Sequence, residues 1–368
     1  MDKYYLAALN SAFTYLPAAT LWELIARFGS AQKVFSADFA ALKDTKLVSA
    51  QLLNRYKSRY RPNLPDDIAN YCHIHSVQLV DFREQLYPAP LRHIFNPPPV
   101  LYIKGQFPEA QCFLAMVGSR KATAYGLSTA KRMAAETANK GIVIVSGGAY
   151  GIDTASHKGA LEGGGITVAV IGSGFDNIYP AGNHRLFSQI QEKGAVITEF
   201  SPDTEPLGIH FPLRNRIIAG ISSAVLVVEA AIKSGAVITA RLAMEEGRDV
   251  FAIPGDITSP TSMGTNSLIQ DGAKLISCSE DILAEYHLLP QKEKKAKVKN
   301  ISLFDVLPEK EVKDAEKVLA AISYHRSVTI DELVLYSGLP VQKLAGLLLN
   351  LQLKGLIGQD TGNRYICN

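Results

Sequence analysis

The sequence predicts an α/β fold: a doubly wound, mainly parallel sheet, preceded by a helical segment and followed by three helices and a hairpin. Three observations lead there. Short β-branched runs end in Gly- and Ser-rich turns at Gly118, Ser146 and Gly172, spaced 28 and 26 residues apart, the size of a β-α-β unit. Those runs are apolar throughout, as in strands buried on both faces, and do not alternate. At both ends of the chain, helical spacing replaces the strand–helix alternation.

In chain order, residues 1–70 read as a small helical domain. Trp22, Leu24, Ile25 and Phe28 follow helical spacing, and Gly29 stops that helix. Residues 71–110 read as a connector, stiffened by Pro97-Pro98-Pro99. Residues 111–288 carry the sheet. Strands are expected at Cys112–Val117, Ile142–Val145, Ile166–Ile171, Ala195–Phe200, Ala224–Glu229, Asp249–Ile253 and Lys274–Ile276. Helices are expected at about Tyr125 to Lys140 and from Ser234-Gly235-Ala236 to Glu246. Residues 289–310 form a linker, with five Lys and one Glu between Pro290 and Asn300. In 311–368, a helix over Asp314–His325 precedes a second one opened by the capping-box spacing Thr329…Glu332 and closed near Gly338. Pro340 starts a third, Val341–Lys354. Gly355–Gly358, a turn at Asp360–Asn363 and Arg364–Cys367 complete a hairpin, giving the order of a winged helix.

Composition narrows the class. A length of 368 residues allows two or three domains, and 47% hydrophobic with 20% charged residues excludes a disordered or fibrous chain. No apolar run reaches a membrane span, and the first residues lack the pattern of a secretory signal. The four cysteines, at 72, 112, 278 and 367, form no Cys-x-x-Cys. We therefore expect no membrane span, no disulfide framework, no structural zinc and a cytoplasmic location. The middle segment 111–288 is acidic on balance, with 14 Lys and Arg against 17 Asp and Glu. A polyanion would have to be held there by placed cations and amides, not by bulk field.

In an open parallel sheet, ligands bind beyond the carboxyl ends of the strands. The turns at 118–120, 146–151, 172–174, 233–236 and 254–255 should share that rim, and their small residues expose amides suited to phosphate. No P-loop is present, and Gly172-Ser-Gly174 is followed by Asn177 where a dinucleotide fingerprint needs glycine. Arg120 reads as a phosphate fork. Phe211-Pro-Leu-Arg214-Asn215-Arg216 offers a stacking ring, two guanidinia and an amide, the means by which single-stranded nucleic acid is held. A second reading stays open, in which Phe211 is core and the arginines pair with carboxylates. Asp153 and His157, one helical turn apart, suit either acid/base chemistry or turn capping. Arg55-Tyr-Lys-Ser-Arg-Tyr-Arg61 is either a nucleic-acid contact or a solvated face.

These residues resemble the DNA-processing A (Smf) family of natural transformation and competence. The resemblance rests on Met116–Arg120, Ser146-Gly-Gly-Ala-Tyr-Gly-Ile-Asp153, Tyr179-Pro-Ala-Gly-Asn183, Phe211–Gly220, Ser234-Gly-Ala-Val-Ile-Thr239 and Pro254-Gly-Asp256, in order over about 140 residues. It implies an extended Rossmann-like sheet domain, a sterile-alpha-motif-like helical domain before it and a winged helix after it. It also implies homodimerisation, single-stranded DNA binding without sequence specificity, loading of a RecA-type recombinase, no cofactor and no enzymatic activity. The DNA-binding residues it implies are Gly118, Ser119, Arg120, Ser146, Gly147, Gly148, Lys158, Phe211, Arg214, Asn215, Arg216, Lys233, Ser234 and Gly235. Between Pro206 and Phe211 the sequence reads Leu-Gly-Ile-His, without the basic residue some relatives have there.

Two rival readings fit the sequence less well. A nucleotide-processing hydrolase of the lysine-decarboxylase-like superfamily would show a Pro-Gly-Gly-x-Gly-Thr loop, which is absent. A winged-helix reader of duplex DNA would need polar groups on its third helix, yet Lys343 and Lys354 are the only cations of Val341–Lys354.

Overall fold

The computed structural model describes residues 2–286, 309–325, 328–354, 356–360 and 364–367. These fall into two compact units, Met1–Leu289 and Pro290–Asn368. Most of the expected linker, and the turn at 361–363, lie outside the described residues.

The first unit opens with six short helices: α1 (Asp2–Phe13), α2 (Ala18–Phe28), α3 (Ala31–Phe35), α4 (Phe39–Asp44), α5 (Ala50–Arg59) and α6 (Leu64–Ile74). Ser30 and Ser49 cap α3 and α5 by accepting amide N–H bonds, and the Gly29 amide closes α2 on the Ile25 carbonyl. Leu6, Leu9, Leu21, Leu24 and Tyr56 of these helices share one core with Val100, Tyr102, Ile171 and Val196 of the sheet. The helical segment is thus packed onto the sheet.

The segment 71–110 is more than a connector. It contributes β1 (Gln78–Asp81) and β2 (Val100–Gly105), which pair antiparallel with each other, and β2 adds antiparallel to β6 (Ala195–Thr198). The Pro-rich turn between them hides this strand pair from a reading by periodicity. The parallel strands are β3 (Phe113–Gly118), β4 (Val143–Ser146), β5 (Thr167–Val170), β6, β7 (Ala224–Glu229), β8 (Asp249–Ala252) and β9 (Lys274–Leu275). The nine-stranded order is β1-β2-β6-β5-β4-β3-β7-β8-β9. Both faces are covered. Ala115, Val117, Val145 and Val225 point into one core, and Leu114, Met116, Ile144 and Leu226 into the other. This explains their unbroken apolar runs.

The covering helices are α7 (Ala124–Ala138), α8 (Ile152–Glu162), α9 (His184–Lys193), α10 (His210–Ile221), α11 (Gly235–Glu245), α12 (Met263–Gln270) and α13 (Ser279–Glu285). Strand order reverses between β3 and β7, so a crevice opens beyond their carboxyl ends.

In the second unit, α14 (Glu309–His325), α15 (Ile330–Ser337) and α16 (Val341–Leu353) precede β10 (Ile357–Asp360) and β11 (Arg364–Cys367). The Thr329–Glu332 capping box forms at the start of α15. Leu333, Leu344, Leu347, Leu348 and Leu351 fill the core of this winged helix. Four leucines of α16 are therefore internal, while Val341 and Leu349 are exposed.

Candidate nucleic-acid interface

The crevice at the strand reversal is a cleft of about 610 Å³, lined by residues 117–121, Ala149, Asp153, Gly208, the start of α10 and the start of α11. Two of the five expected turns, 118–120 and 233–236, reach it directly. The second enters only through Ala149, and the turns at 172–174 and 254–255 do not line it. Gly174 is packed on the carbonyls of Ser201 and Pro202, and Gly255 exchanges two hydrogen bonds with the Asn266 side chain.

The first turn leaves β3 with the Ser119 amide donating to the Glu229 carbonyl (2.7 Å), and the Lys121 amide donating to Ser119 Oγ (3.2 Å). Arg120 and Lys121 project from it, both exposed. Arg120 lies over the Phe211 ring, its Cζ 5.0 Å from the centroid. Phe211 is half-buried and has the Arg214 Cζ 6.0 Å and the Tyr179 ring 5.9 Å away.

Arg214 is not a free phosphate fork. It is 4% exposed. Its Nη1 donates to the Gly147 carbonyl (2.7 Å) and to the Val170 carbonyl, and its Nε donates to Asn215 Oδ1 (3.2 Å). The amide of the same Gly147 donates to Asp153 Oδ2 (3.1 Å), and the Ala149 amide reaches that oxygen too (3.4 Å). One glycine is thus clamped between a buried carboxylate and a buried guanidinium. A Cβ on Gly147 would lie 2.6 Å from the guanidinium nitrogens, so only glycine admits it. Burial pushes the Asp153 carboxyl up, against the pull of Arg214 and the two amides. Burial, and then Arg120, lower Arg214 to about 10, which leaves it a cation at neutral pH.

Several expected contact residues lie inside the fold or away from this cleft. Ser146, Gly147 and Gly148 are buried; Ser146 Oγ ties β4 to the Met116 carbonyl (2.6 Å), and Phe187 packs on Gly148. The Gly147 and Ala149 amides of this turn serve Asp153. Arg216 faces away from the cleft, where its Nη2 pairs with Glu199 Oε2. Lys158 and Lys233 are exposed but do not line the cleft. Gly118, Ser119, Arg120, Phe211, Arg214, Asn215, Ser234 and Gly235 do line it. Asn215 Nδ2 donates to the Gly235 carbonyl (3.4 Å), which joins α10 to α11.

Asp153 and His157 form no acid/base pair. The Thr167 hydroxyl donates to the Ile144 carbonyl, so His157 Nδ1–H must donate to Thr167 Oγ1 (2.7 Å). Burial, and then the Arg214 charge, push the His157 imidazole down to about 3.

Sequence reasoning missed Lys121 and Glu229. Lys121 could have been found from its place beside Arg120. Glu229 ends an apolar strand and is 4% exposed, and its carboxylate takes the Thr123 amide (3.1 and 3.2 Å) and the Thr123 hydroxyl (2.6 Å) at the start of α7. A Cβ on Gly126 would lie 2.2 Å from Glu229 Oε2. No local pattern announces such a contact, because its partners are 106 residues apart.

Known proteins share this architecture. The family model described as DNA recombination-mediator protein A matches residues 78–287, and the DprA winged helix domain matches residues 306–363. The DNA processing protein DprA of Streptococcus pneumoniae is 46% identical over 208 residues, which is 55% of this chain and 72% of that protein. A crystal structure of DNA processing protein A from the same species superposes with a TM-score of 0.65 at 36% identity, covering 77% of this chain and 98% of that one. The DNA processing protein A of Helicobacter pylori, solved to show its single-stranded DNA binding mode, matches with a TM-score of 0.53 at 29% identity, covering 57% and 95%.

Proposed function

Because this chain belongs to the DNA recombination-mediator protein A family, we propose that it processes incoming DNA in natural transformation by holding single strands. In this reading it works in the cytoplasm as a homodimer, without catalysis, and places a RecA-type recombinase on the strand it holds. The observation that carries the reading is the Arg120–Phe211 pair at the mouth of the cleft. A guanidinium held over an aromatic ring, with Lys121 beside it, offers phosphate contact and base stacking from one point, and neither depends on base identity. Gly235 keeps a side chain out of the approach, since a Cβ there would stand in open space.

A non-catalytic role fits the state of the acidic and imidazole groups nearby. Asp153 is bonded to amides, Glu229 to Thr123, and His157 to Thr167, so each is already committed inside the fold. The test is a titration of the pure protein with oligo-dT and with duplex, followed by recombinase filament assembly on the coated strand. Preference for oligo-dT and faster assembly without nucleotide turnover or strand cleavage are the expected results. Equal affinity for duplex would refute the single-strand preference, and cleavage lost in Asp153→Ala would replace this reading with an enzymatic one.

A further inference from the structure

A second cleft, about 550 Å³, lies between the N-terminal helices and the sheet, on the other side of the start of α10. The segment 207–211 is the wall between the two clefts: Leu207 and His210 line this one, Gly208 and Phe211 the first. We propose that the single strand bound at Arg120 and Phe211 crosses that wall into the second cleft and continues along the exposed basic face of α5. The proposal rests on the single-strand reading above.

Charge is the first argument. Between Thr45 and Pro65 the chain has five cations, Lys46, Arg55, Lys57, Arg59 and Arg61, and no carboxylate. The last four are exposed, and none forms an ion pair among the described residues. Arg55 and Arg59, four apart, share the side of α5 next to Tyr15, with Arg61 just past its end, whereas Lys57 lies on the other side over the Phe39 ring. Arg59 and Arg61 line the cleft. The acids of the cleft, Glu199, Asp203 and Glu205, lie on the sheet side, and Glu199 is already paired with Arg216. A polyanion is therefore drawn along the helical side.

Aromatic surface is the second. Tyr15, His210 and Phe200 form a run across the cleft, with ring centroids 6.1 and 4.4 Å apart, and Arg55 Cζ is 6.0 Å from the Tyr15 centroid. Tyr15 is 40% exposed. It is held in a left-handed backbone conformation (φ 71°), directly after Thr14 (φ 27°), which costs energy for residues other than glycine and persists only where the surroundings enforce it. The enforcing bonds are present. Arg59 Nη1 donates to Thr14 Oγ1 (2.6 Å), and the Tyr15 hydroxyl donates to His210 Nε2 (3.1 Å), since Nδ1–H serves the Glu205 carbonyl. The ring is thereby presented beside the basic face, with His210 between it and Phe211. Repeated cations with an exposed ring between them are what a non-specific strand path needs.

The experiment is fluorescence anisotropy on the full chain, with labelled oligo-dT of about six and about twenty nucleotides, bracketing one cleft and the extended path. The variant Arg55→Ala/Arg61→Ala spares Arg59, which braces Thr14. It should bind the short strand as the parent does and the long strand at least about tenfold more weakly at low salt. Its salt slope on the long strand should be shallower by about 1.4, at roughly 0.7 for each phosphate no longer neutralised. The single Arg61→Glu exchange should act in the same direction, which keeps the test readable if the double variant folds poorly. An unchanged long-strand affinity with an unchanged slope overturns the proposal and leaves this face to an acidic protein segment. If the parent protein binds neither oligonucleotide, the single-strand reading fails first and this path fails with it.

Discussion

Replacing Arg214 separates a structural arginine from the proposed DNA contact at Arg120. In Arg214→Ala the carbonyls of Gly147 and Val170 lose their donor, and buried Asp153 loses the cation whose field opposes its neutralisation. Charge-assisted hydrogen bonds contribute about 1.5–3 kcal/mol each, and stranding a buried charge costs about 3–5 kcal/mol. Two such bonds lost give about 3–6 kcal/mol, which overlaps the second figure at about 3–5 kcal/mol. For a unit of this size the melting temperature should drop by roughly 6–20 °C, at about 2–4 °C per kcal/mol. The assay is calorimetry beside urea unfolding, with oligo-dT affinity measured on the refolded protein. Arg120→Ala is the control: its guanidinium is exposed, so stability should hold while affinity falls about tenfold. An Arg214→Ala protein that melts within about 2 °C of the parent and loses only affinity would refute the clamp.

Three further outcomes are expected. Gly126→Ala should destabilise, although alanine in a helix gains about 1 kcal/mol over glycine, because its Cβ meets the Glu229 carboxylate at 2.2 Å within a buried cap; a higher melting temperature would show that the cap yields freely. His157, with its pKa near 3 against 6.5 in a model imidazole, contributes stability that is complete above pH 6.5 and is lost as pH falls toward 3, at up to about 1.4 kcal/mol per unit. Its ring resonances should keep their neutral-form shifts at pH 5, and a midpoint near 6 would contradict the burial argument. A chain cut after Leu289 should keep single-strand affinity within about tenfold, since α16 puts four of its leucines into its own core and carries Lys343 as its one cation; a larger loss would put the Lys-rich stretch or the wing on the DNA.

The parallel strands, the α15 capping box and the Gly29 stop were legible because each is a local pattern of period, cap or breaker. The pair β1 and β2 was not, since antiparallel addition to β6 depends on a partner some 90 residues away. The same limit governs the site. Arg120 and Phe211 were found by residue type at a strand end and a helix start. Arg214 and Arg216 share a motif two positions apart, yet helix geometry sends one toward Gly147 and the other toward Glu199. Spacing alone cannot say which of two neighbouring arginines is buried: of the second reading of that motif, the carboxylate pairing is seen for Arg216 with Glu199, while Arg214 bonds carbonyls and Phe211 lines the cleft.

Glu229 and Asp153 have a consequence for selectivity. Each carboxylate occupies backbone amides, at the start of α7 and in the turn before α8, where related sheet architectures seat a phosphate. A free nucleotide would have to displace a tethered carboxylate whose effective concentration is of millimolar order or higher. The abundant mononucleotides of a cell are thereby poor competitors. A polymer can reach useful affinity without those amides, by summing many shallow contacts along its length. In the proposed function, valency then stands in for depth of pocket, and a strand would be recognised by its being long.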